Sequence, residues 1–287
     1  MGSDLPPGTF LVLPKNFRLL RSMVMRQNRV KNIMKQGQLA LGTYVTFADP
    51  QIVEIIGLAG FDAAFIDMEH TTFDLGLVSQ MIAAADLAGV TSVVRVPGND
   101  ENLILRLLDA GAEGIIIPHI DGIEGAKKAV DAVRYSPMGH RGGAGGSRAA
   151  RFGSVPWEEH TRQSNEEILL AVMTEDEKGV NDIEKISALD GIDIVSIGPT
   201  DFSEFMGIRD PASPVLRGKL EELAGKVKRI GKAKLAFPMN HPAMPLSARE
   251  LTDLGVGYCH VAPPPPAVLL RSLRDRLQNI HQELGRS

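Results

Sequence analysis

The sequence holds a single cysteine, Cys259. That excludes an intrachain disulfide framework and any thiolate zinc cluster, and a reducing cytoplasm is the simplest address it allows. No apolar run reaches the ~18 residues needed to cross a bilayer. The stretch Met1 to Lys35 also lacks the basic start, apolar middle and small-residue cleavage site of a signal peptide, so neither membrane insertion nor secretion is expected. Charge of one sign is missing as well: 31 Lys+Arg against 35 Asp+Glu leave −4, with no electrostatic footprint for nucleic acid or an anionic membrane. Aromatics are sparse at 5%, but 44% hydrophobic and 23% charged residues fit an ordinary globular enzyme rather than a disordered or coiled-coil chain. No Gly-x-Gly-x-x-Gly turn follows an early strand, which counts against a dinucleotide-binding doubly wound sheet.

What is present is an alternation. Past residue 37, short β-branched runs alternate with longer amphipathic segments. Strands are predicted at Leu39–Val45, Ala63–Asp67, Ser92–Val96, Gly114–Pro118, Ile168–Thr174, Asp193–Ile197, Lys234–Phe237 and Tyr258–Ala262, with helical patterns between them and a last one over Ala267–Leu284. Gly60, Gly89, Gly111, Gly191 and Gly255 fall where left-handed helix caps are needed. The pattern predicts an α/β fold, a (β/α)8 TIM barrel over 37–287, preceded by an N-terminal helical extension over 1–36. Arg18, Arg21, Arg26, Arg29, Lys31 and Lys35 give that extension a basic character, read as a helix capping one end of the barrel.

In such a barrel the chemistry belongs at the C-terminal strand ends. The second strand runs into Asp67-Met68-Glu69-His70, the third into Arg95, the fourth into Pro118-His119, the fifth into Glu175 and the sixth into Gly198-Pro199-Thr200-Asp201. A carboxylate at a strand-to-helix junction ordinarily caps the next helix, and Asp74 reads as such a cap. Caps do not require Arg and His at neighbouring strand ends. Glu175 and Asp201 can share one volume, and two carboxylates without thiolates suit Mg²⁺ or Mn²⁺. Arg95 offers a fork for a carboxylate or polarised carbonyl, and the turn before Thr200 presents backbone N–H groups to an anion.

The runs Phe61–His70, Val94-Arg95-Val96-Pro97, Leu108–Ala112, Arg134–Gly142 and Ile197–Ser203 resemble the HpcH/HpaI aldolase family, class II metal-dependent pyruvate aldolases that include 4-hydroxy-2-oxoheptanedioate aldolases. The resemblance runs in order from about Ala40 to about Gly207. It implies a lyase that reversibly cleaves a 4-hydroxy-2-oxo acid to pyruvate and an aldehyde through a metal-bound enolate. By position it makes Glu175 and Asp201 the ligands of Mg²⁺, Mn²⁺ or Co²⁺. Arg95 becomes the holder of the keto or enolate oxygen, and His70 with Asp67 the acid/base pair. Gly198, Pro199, Thr200 and His119 become substrate contacts, with His119 facing the second substrate. A homo-oligomer, dimer-based and up to a hexamer, is implied through Ala267–Leu284.

Three positions depart from the family pattern: Met173 where Gln is common, Tyr44 where Trp is common, and Pro263–Pro266 where an Asp is usual. The four prolines are expected to stiffen an extended loop. Citrate-lyase-like cleavage and a non-catalytic metabolite-binding barrel remain alternatives. The glycine-rich run Arg141–Arg148 lacks the Gly-Lys-Ser/Thr ending of a P-loop, and is read as a lid carrying Arg148 or Arg151 toward a distal carboxylate, or as a flexible surface loop. His140, His160, His241 and His281 are read as surface residues, and Cys259 and His260 as packing.

Overall fold

Eight parallel strands close on themselves in sequence order, β1 Ala40–Val45, β2 Ala63–Asp67, β3 Thr91–Arg95, β4 Gly114–Ile117, β5 Leu169–Met173, β6 Ile194–Ser196, β7 Lys234–Ala236 and β8 Val256–His260, with β8 pairing back to β1. The computed structural model describes residues 26–286. Arg18 and Arg21 of the basic extension lie outside the described residues, whose first helix is α1 Arg29–Lys35. Around the barrel run α2 Gln51–Leu58, α3 Leu75–Ala88, α4 Glu101–Asp109, α5 Gly122–Val133, α6 Trp157–Glu167, α7 Glu177–Asn181, α8 Ile183–Ala188, α9 Pro199–Phe205, α10 Pro214–Ile230, α11 Ala248–Asp253 and α12 Pro265–Glu283.

Local chemistry explains most of these boundaries. Strands β2, β4, β5 and β8 are buried along their whole length, as strands covered on both faces must be, so they read as continuous apolar runs. Asp74 caps α3 by accepting the Leu77 N–H at 2.8 Å. Gly89 ends that helix at φ 75°, a left-handed value that glycine adopts without a Cβ clash. Helix α6 escapes the sequence pattern because its strand-facing side is polar, with His160, Gln163 and Ser164 buried. The proline run also differs from the extended loop expected of it. Pro265 and Pro266 form the first turn of α12, where a missing N–H costs nothing.

Two apolar layers result. One lies between strands and helices, and the other fills the barrel, where Phe65, Ile116, Leu169, Ile194 and Tyr258 meet Val30 and Met34 of α1 from below. The lower end is clamped by charge. Asp62, Glu113 and Asp193 each stand one residue before an even-numbered strand and accept a backbone N–H of the preceding strand, from Leu41 at 2.9 Å, Ser92 at 3.3 Å and Leu170 at 2.9 Å. Each also meets a cation of the entering chain: Arg29 at 2.8 Å, Arg26 at 2.7 Å and Lys31 at 2.6 Å respectively. The fully buried Arg134 joins Asp193 at 2.9 Å.

The lid reading of the glycine-rich run does not hold. Arg148 and Arg151 pair with Asp86 at 2.8 and 3.5 Å, and Arg148 packs on Gly111, which leads into the start of β4, so both point to the end opposite the strand termini.

Replacing Asp193 strands two buried cations, and loss of one partner from such a pair typically costs about 3–5 kcal/mol. Asp193→Ala is expected to lower unfolding free energy by about 3 kcal/mol in chemical denaturation. A loss below about 1 kcal/mol would show that the clamp contributes no more than a surface pair.

Candidate active site

The strand ends gather around an open cavity of about 770 Å³ bordered by residues from β1, β2, β3, β5, β6 and β8 and the loops beyond them. At the end of β2 the chain turns at once, with the Thr71 hydroxyl bonded back to the Asp67 carbonyl. Asp67 is buried and accepts Arg95 Nε at 2.9 Å and Nη2 at 2.7 Å, a bidentate pair. It also accepts the backbone N–H groups of Glu69 at 3.0 Å and His70 at 3.4 Å. Burial pushes its pKa up, but the Arg95 fork and the two N–H groups prevail and hold it below the usual carboxylate value.

From Arg95 the charge network crosses the mouth. Arg95 Nη1 stands 3.0 Å from Glu69 Oε2, Glu69 Oε1 meets His119 Nε2 at 2.8 Å, and His119 Nδ1 lies 3.4 Å from Glu175 Oε2. His119 sits at φ 51°, a left-handed value uncommon for a side-chain-bearing residue. The structure therefore brings Asp67, Arg95, His119 and Glu175 into one connected set and adds Glu69 as its hub. Glu69 follows directly after β2 in the tight turn that brings its N–H back to Asp67, and its place at a strand end was the available signal for it.

The expected side-chain pairing of His70 with Asp67 is absent. The Arg95 fork takes both Asp67 oxygens, and the His70 imidazole is 69% exposed, with Glu69 Oε2 at 3.7 Å. His70 still borders the cavity, free to meet a ligand.

Glu175 is the electrostatic anomaly. It is buried, its Oε2 accepts no hydrogen bond, and Asp201 approaches from the next strand end. Burial first and Asp201 second push its carboxyl up to about 7, against the pull of His119 and Arg95. Gly198 makes room for it: a Cβ there would occupy the place of Glu175 Oε1. Met173 ends β5 in contact distance of the same spot and has no N–H or O–H to donate. Pro199 and Thr200 open α9 beside it, and Asp201 is exposed in its first turn.

This donor set fits a hard divalent cation. An orphaned buried carboxylate oxygen beside a second, exposed carboxylate is a pair that repels itself until a positive charge lies between. Among the described residues no group of three or more His, Cys, Asp or Glu converges to hold a metal. Two carboxylates with water or ligand oxygens in the other positions is the arrangement Mg²⁺ commonly accepts.

The floor is aromatic. Tyr44 meets Phe65 edge-on at 5.1 Å, and His260 lies tilted against Phe65 at 4.2 Å and edge-on to Tyr258 at 4.9 Å. Packing is thus the role of His260, as expected, yet it also borders the cavity. Beyond β7 and β8, Asn240, His241, Pro263 and Pro264 line the rim, joined by Arg271 from α12. Pro263 and Pro264 stand out in the sequence as part of the proline run, whereas Asn240 and His241 were missed as cavity residues because the strand-end rule was not applied past β7, and Arg271 because it lies within a helix. Of the histidines read as surface residues, His160 is buried beneath Tyr135 and Trp157, and His241 lines the cavity.

A closed eight-stranded barrel with its polar residues at the C-terminal strand ends defines the class, a (β/α)8-barrel enzyme. The family model HpcH/HpaI aldolase/citrate lyase matches residues 40–229, and the chain belongs to that family of carbon–carbon lyases. A hydroxypyruvate/pyruvate aldolase of Pseudomonas aeruginosa is 34% identical over 251 residues, 86% of this chain and 91% of its own length. A 2-dehydro-3,6-dideoxy-6-sulfogluconate aldolase of Pseudomonas putida is 33% identical over 69% of this chain and 78% of its own. The crystal structure of an HpcH/HpaI aldolase from Desulfitobacterium hafniense superposes with TM-score 0.78 at 28% identity, covering 88% of this chain and 96% of that one.

Burial pushes the His260 imidazole down to about 3. In the unfolded chain the ring takes a proton below about 6.5. Between those values the unfolded state binds the extra proton, so stability is expected to fall as pH drops below about 6.5. His260→Phe should remove up to about 1.4 kcal/mol per pH unit of that slope, read from denaturation midpoints at pH 6 and pH 5. An unchanged slope would mean that the ring is protonated in the folded barrel.

Proposed function

We propose that this chain is a divalent-cation-dependent aldolase that reversibly splits a 4-hydroxy-2-oxo acid into pyruvate and an aldehyde. The observation that carries the reading is the buried Glu175 carboxylate near Asp201 at the barrel mouth, whose Oε2 accepts no hydrogen bond among the described residues and has the His119 ring 3.4 Å away. Those two residues would hold the ion. Bound Mg²⁺, Mn²⁺ or Co²⁺ would supply Lewis-acid stabilisation of the negative charge that develops on the 2-oxo acid.

The chain's own residues account for the rest. Arg95, pinned by Asp67, directs its guanidinium toward the keto oxygen, and the clamp removes the rotamer entropy that a free arginine would lose on binding. Gly198, Pro199 and Thr200 border the space for the acid end, and His119 stands between Glu69 and Glu175 toward the departing aldehyde. His70, exposed at the cavity edge, accepts the proton of the C4 hydroxyl. The C3–C4 bond then breaks, its electron pair passes to C3, C4 becomes the aldehyde carbon, and a proton delivered to C3 completes pyruvate. Asp67 acts on this step through Arg95, and through the backbone N–H of His70 rather than its ring.

A homo-oligomer built through α12 is part of the same reading. Leu269, Leu273 and Leu277 are each about half exposed along that helix, an apolar stripe that a second copy of the chain would cover. A monomeric mass by light scattering would refute this. The buried Cys259 thiol supports a cytoplasmic setting.

Pyruvate release from a panel of 4-hydroxy-2-oxo acids tests the reaction. Release is expected with Mg²⁺ or Mn²⁺ and not after chelation, and Glu175→Gln should lower kcat at least about 100-fold. Undiminished release without a cation, or by the variant, would overturn it.

A further inference from the structure

At the lower end of the barrel, opposite the mouth, lies a second cavity of about 40 Å³, bordered by the charged side chains Arg26, Asp86, Glu113, Arg148 and Arg151 and by Ser164. A water needs about 10–15 Å³ of such space, so the cavity has room for about three waters, or for one small oxyanion in their place. Its charges do not balance, because three guanidiniums meet two carboxylates. Arg26 and Glu113 close on each other, Nε to Oε1 at 3.1 Å and Nη2 to Oε2 at 2.7 Å, and the Ser92 N–H donates to the same carboxylate at 3.3 Å. Arg148 and Arg151 are left with Asp86. Both reach its Oδ2 alone, at 2.8 and 3.5 Å, and among the described residues each gives it one N–H. One positive charge and most of the N–H groups of two guanidiniums thus remain unanswered beside the cavity. The two arginines are 34% and 33% exposed, so an ion from solvent can reach them.

Two further observations point to the same place. Ser164 of α6 is 2% exposed, and its Oγ has no hydrogen-bond partner among the described residues. It does not make even the bond back to the preceding turn that helix serines commonly make. A buried hydroxyl in a folded protein ordinarily has a partner, and water or an ion supplies one where the chain does not. The backbone that presents Arg151 is strained as well. Arg151 and Phe152 stand in succession at φ 51° and 55°, left-handed values that side-chain-bearing residues rarely adopt. Phe152 is 73% exposed, so burial of its ring does not account for the strain. Strain of this kind collects at ligand clamps.

We propose that Arg148, Arg151 and Ser164 form a binding site for a small oxyanion of the size of phosphate or sulfate at the floor of the barrel. The N–H groups not spent on Asp86 and the Ser164 hydroxyl donate to its oxygens, and the planar guanidiniums suit a tetrahedral anion. The bound anion fastens the end of the glycine-rich run, which carries both arginines, to α6. This site is separate from the mouth and does not depend on the aldolase reading.

Calorimetry with inorganic phosphate tests it on the intact chain, in EDTA so that the mouth holds no cation. One phosphate per chain is expected, displaced by sulfate and not by chloride at equal ionic strength. Arg151→Gln should weaken binding at least about 10-fold and Ser164→Ala about 3- to 10-fold. Asp86→Asn carries the opposite sign: it frees both guanidiniums and should tighten phosphate binding while removing an ion pair from the fold. A cluster with a merely structural role would lower the unfolding midpoint in Asp86→Asn without tightening anything. Arg271→Gln, at the mouth, should leave phosphate binding unchanged. No binding by the parent chain, equal displacement by chloride, no tightening in Asp86→Asn, or binding lost in Arg271→Gln and kept in Arg151→Gln would overturn the site. If Arg151→Gln does not fold, Ser164→Ala and Asp86→Asn decide.

Discussion

The two ends of this barrel treat buried carboxylates in opposite ways. At the lower end Asp62, Glu113 and Asp193 each receive a backbone N–H and a cation from the entering chain. At the upper end Glu175 is buried beside Asp201 with one oxygen unmet, and its proton affinity rises accordingly. A buried carboxylate oxygen that accepts no hydrogen bond is costly for a fold to hold. The lower clamp ties the entering chain to β1, β3 and β5 through Asp62, Glu113 and Asp193. The chemistry of the site follows from that unbalanced charge.

The network from Asp67 to His119 shows how the imbalance is contained. Asp67 holds the Arg95 fork on two oxygens and Glu69 takes a third contact. Glu69 in turn shares His119 with Glu175. Met173 and Gly198 border Glu175 without donating to it: the thioether has no hydrogen to offer, and the glycine leaves space where any side chain would collide. A glutamine at the Met173 position would have an amide to hydrogen-bond, so the departure noted in the sequence leaves Glu175 without that donor.

Much of the barrel was legible before any coordinates. Fully buried parallel strands read as apolar runs, and Gly60, Gly89, Gly111, Gly191 and Gly255 all take the left-handed conformation expected of them. Helix α6 was not legible, because a helix whose buried face carries His160, Gln163 and Ser164 has no apolar period to detect. The strand-end rule found Asp67, Arg95, His119, Glu175 and Asp201 but could not say which would pair: a bidentate fork outcompetes an imidazole for Asp67, and that depends on the Asp67↔Arg95 register across β2 and β3. Arg271 was beyond reach of any strand-end argument. Its place at the cavity depends on the azimuth of a helix past the last strand, where prolines set the starting turn.

In the function proposed above, Glu175 and Asp201 share a cation at the barrel mouth. Titration of Mn²⁺ into the intact protein, followed by calorimetry with Glu175→Gln in parallel, addresses it without depending on a substrate. One cation per chain, lost in the variant while its fold remains intact, is the expected result. No binding by the wild-type chain, or equal binding by Glu175→Gln, would contradict it.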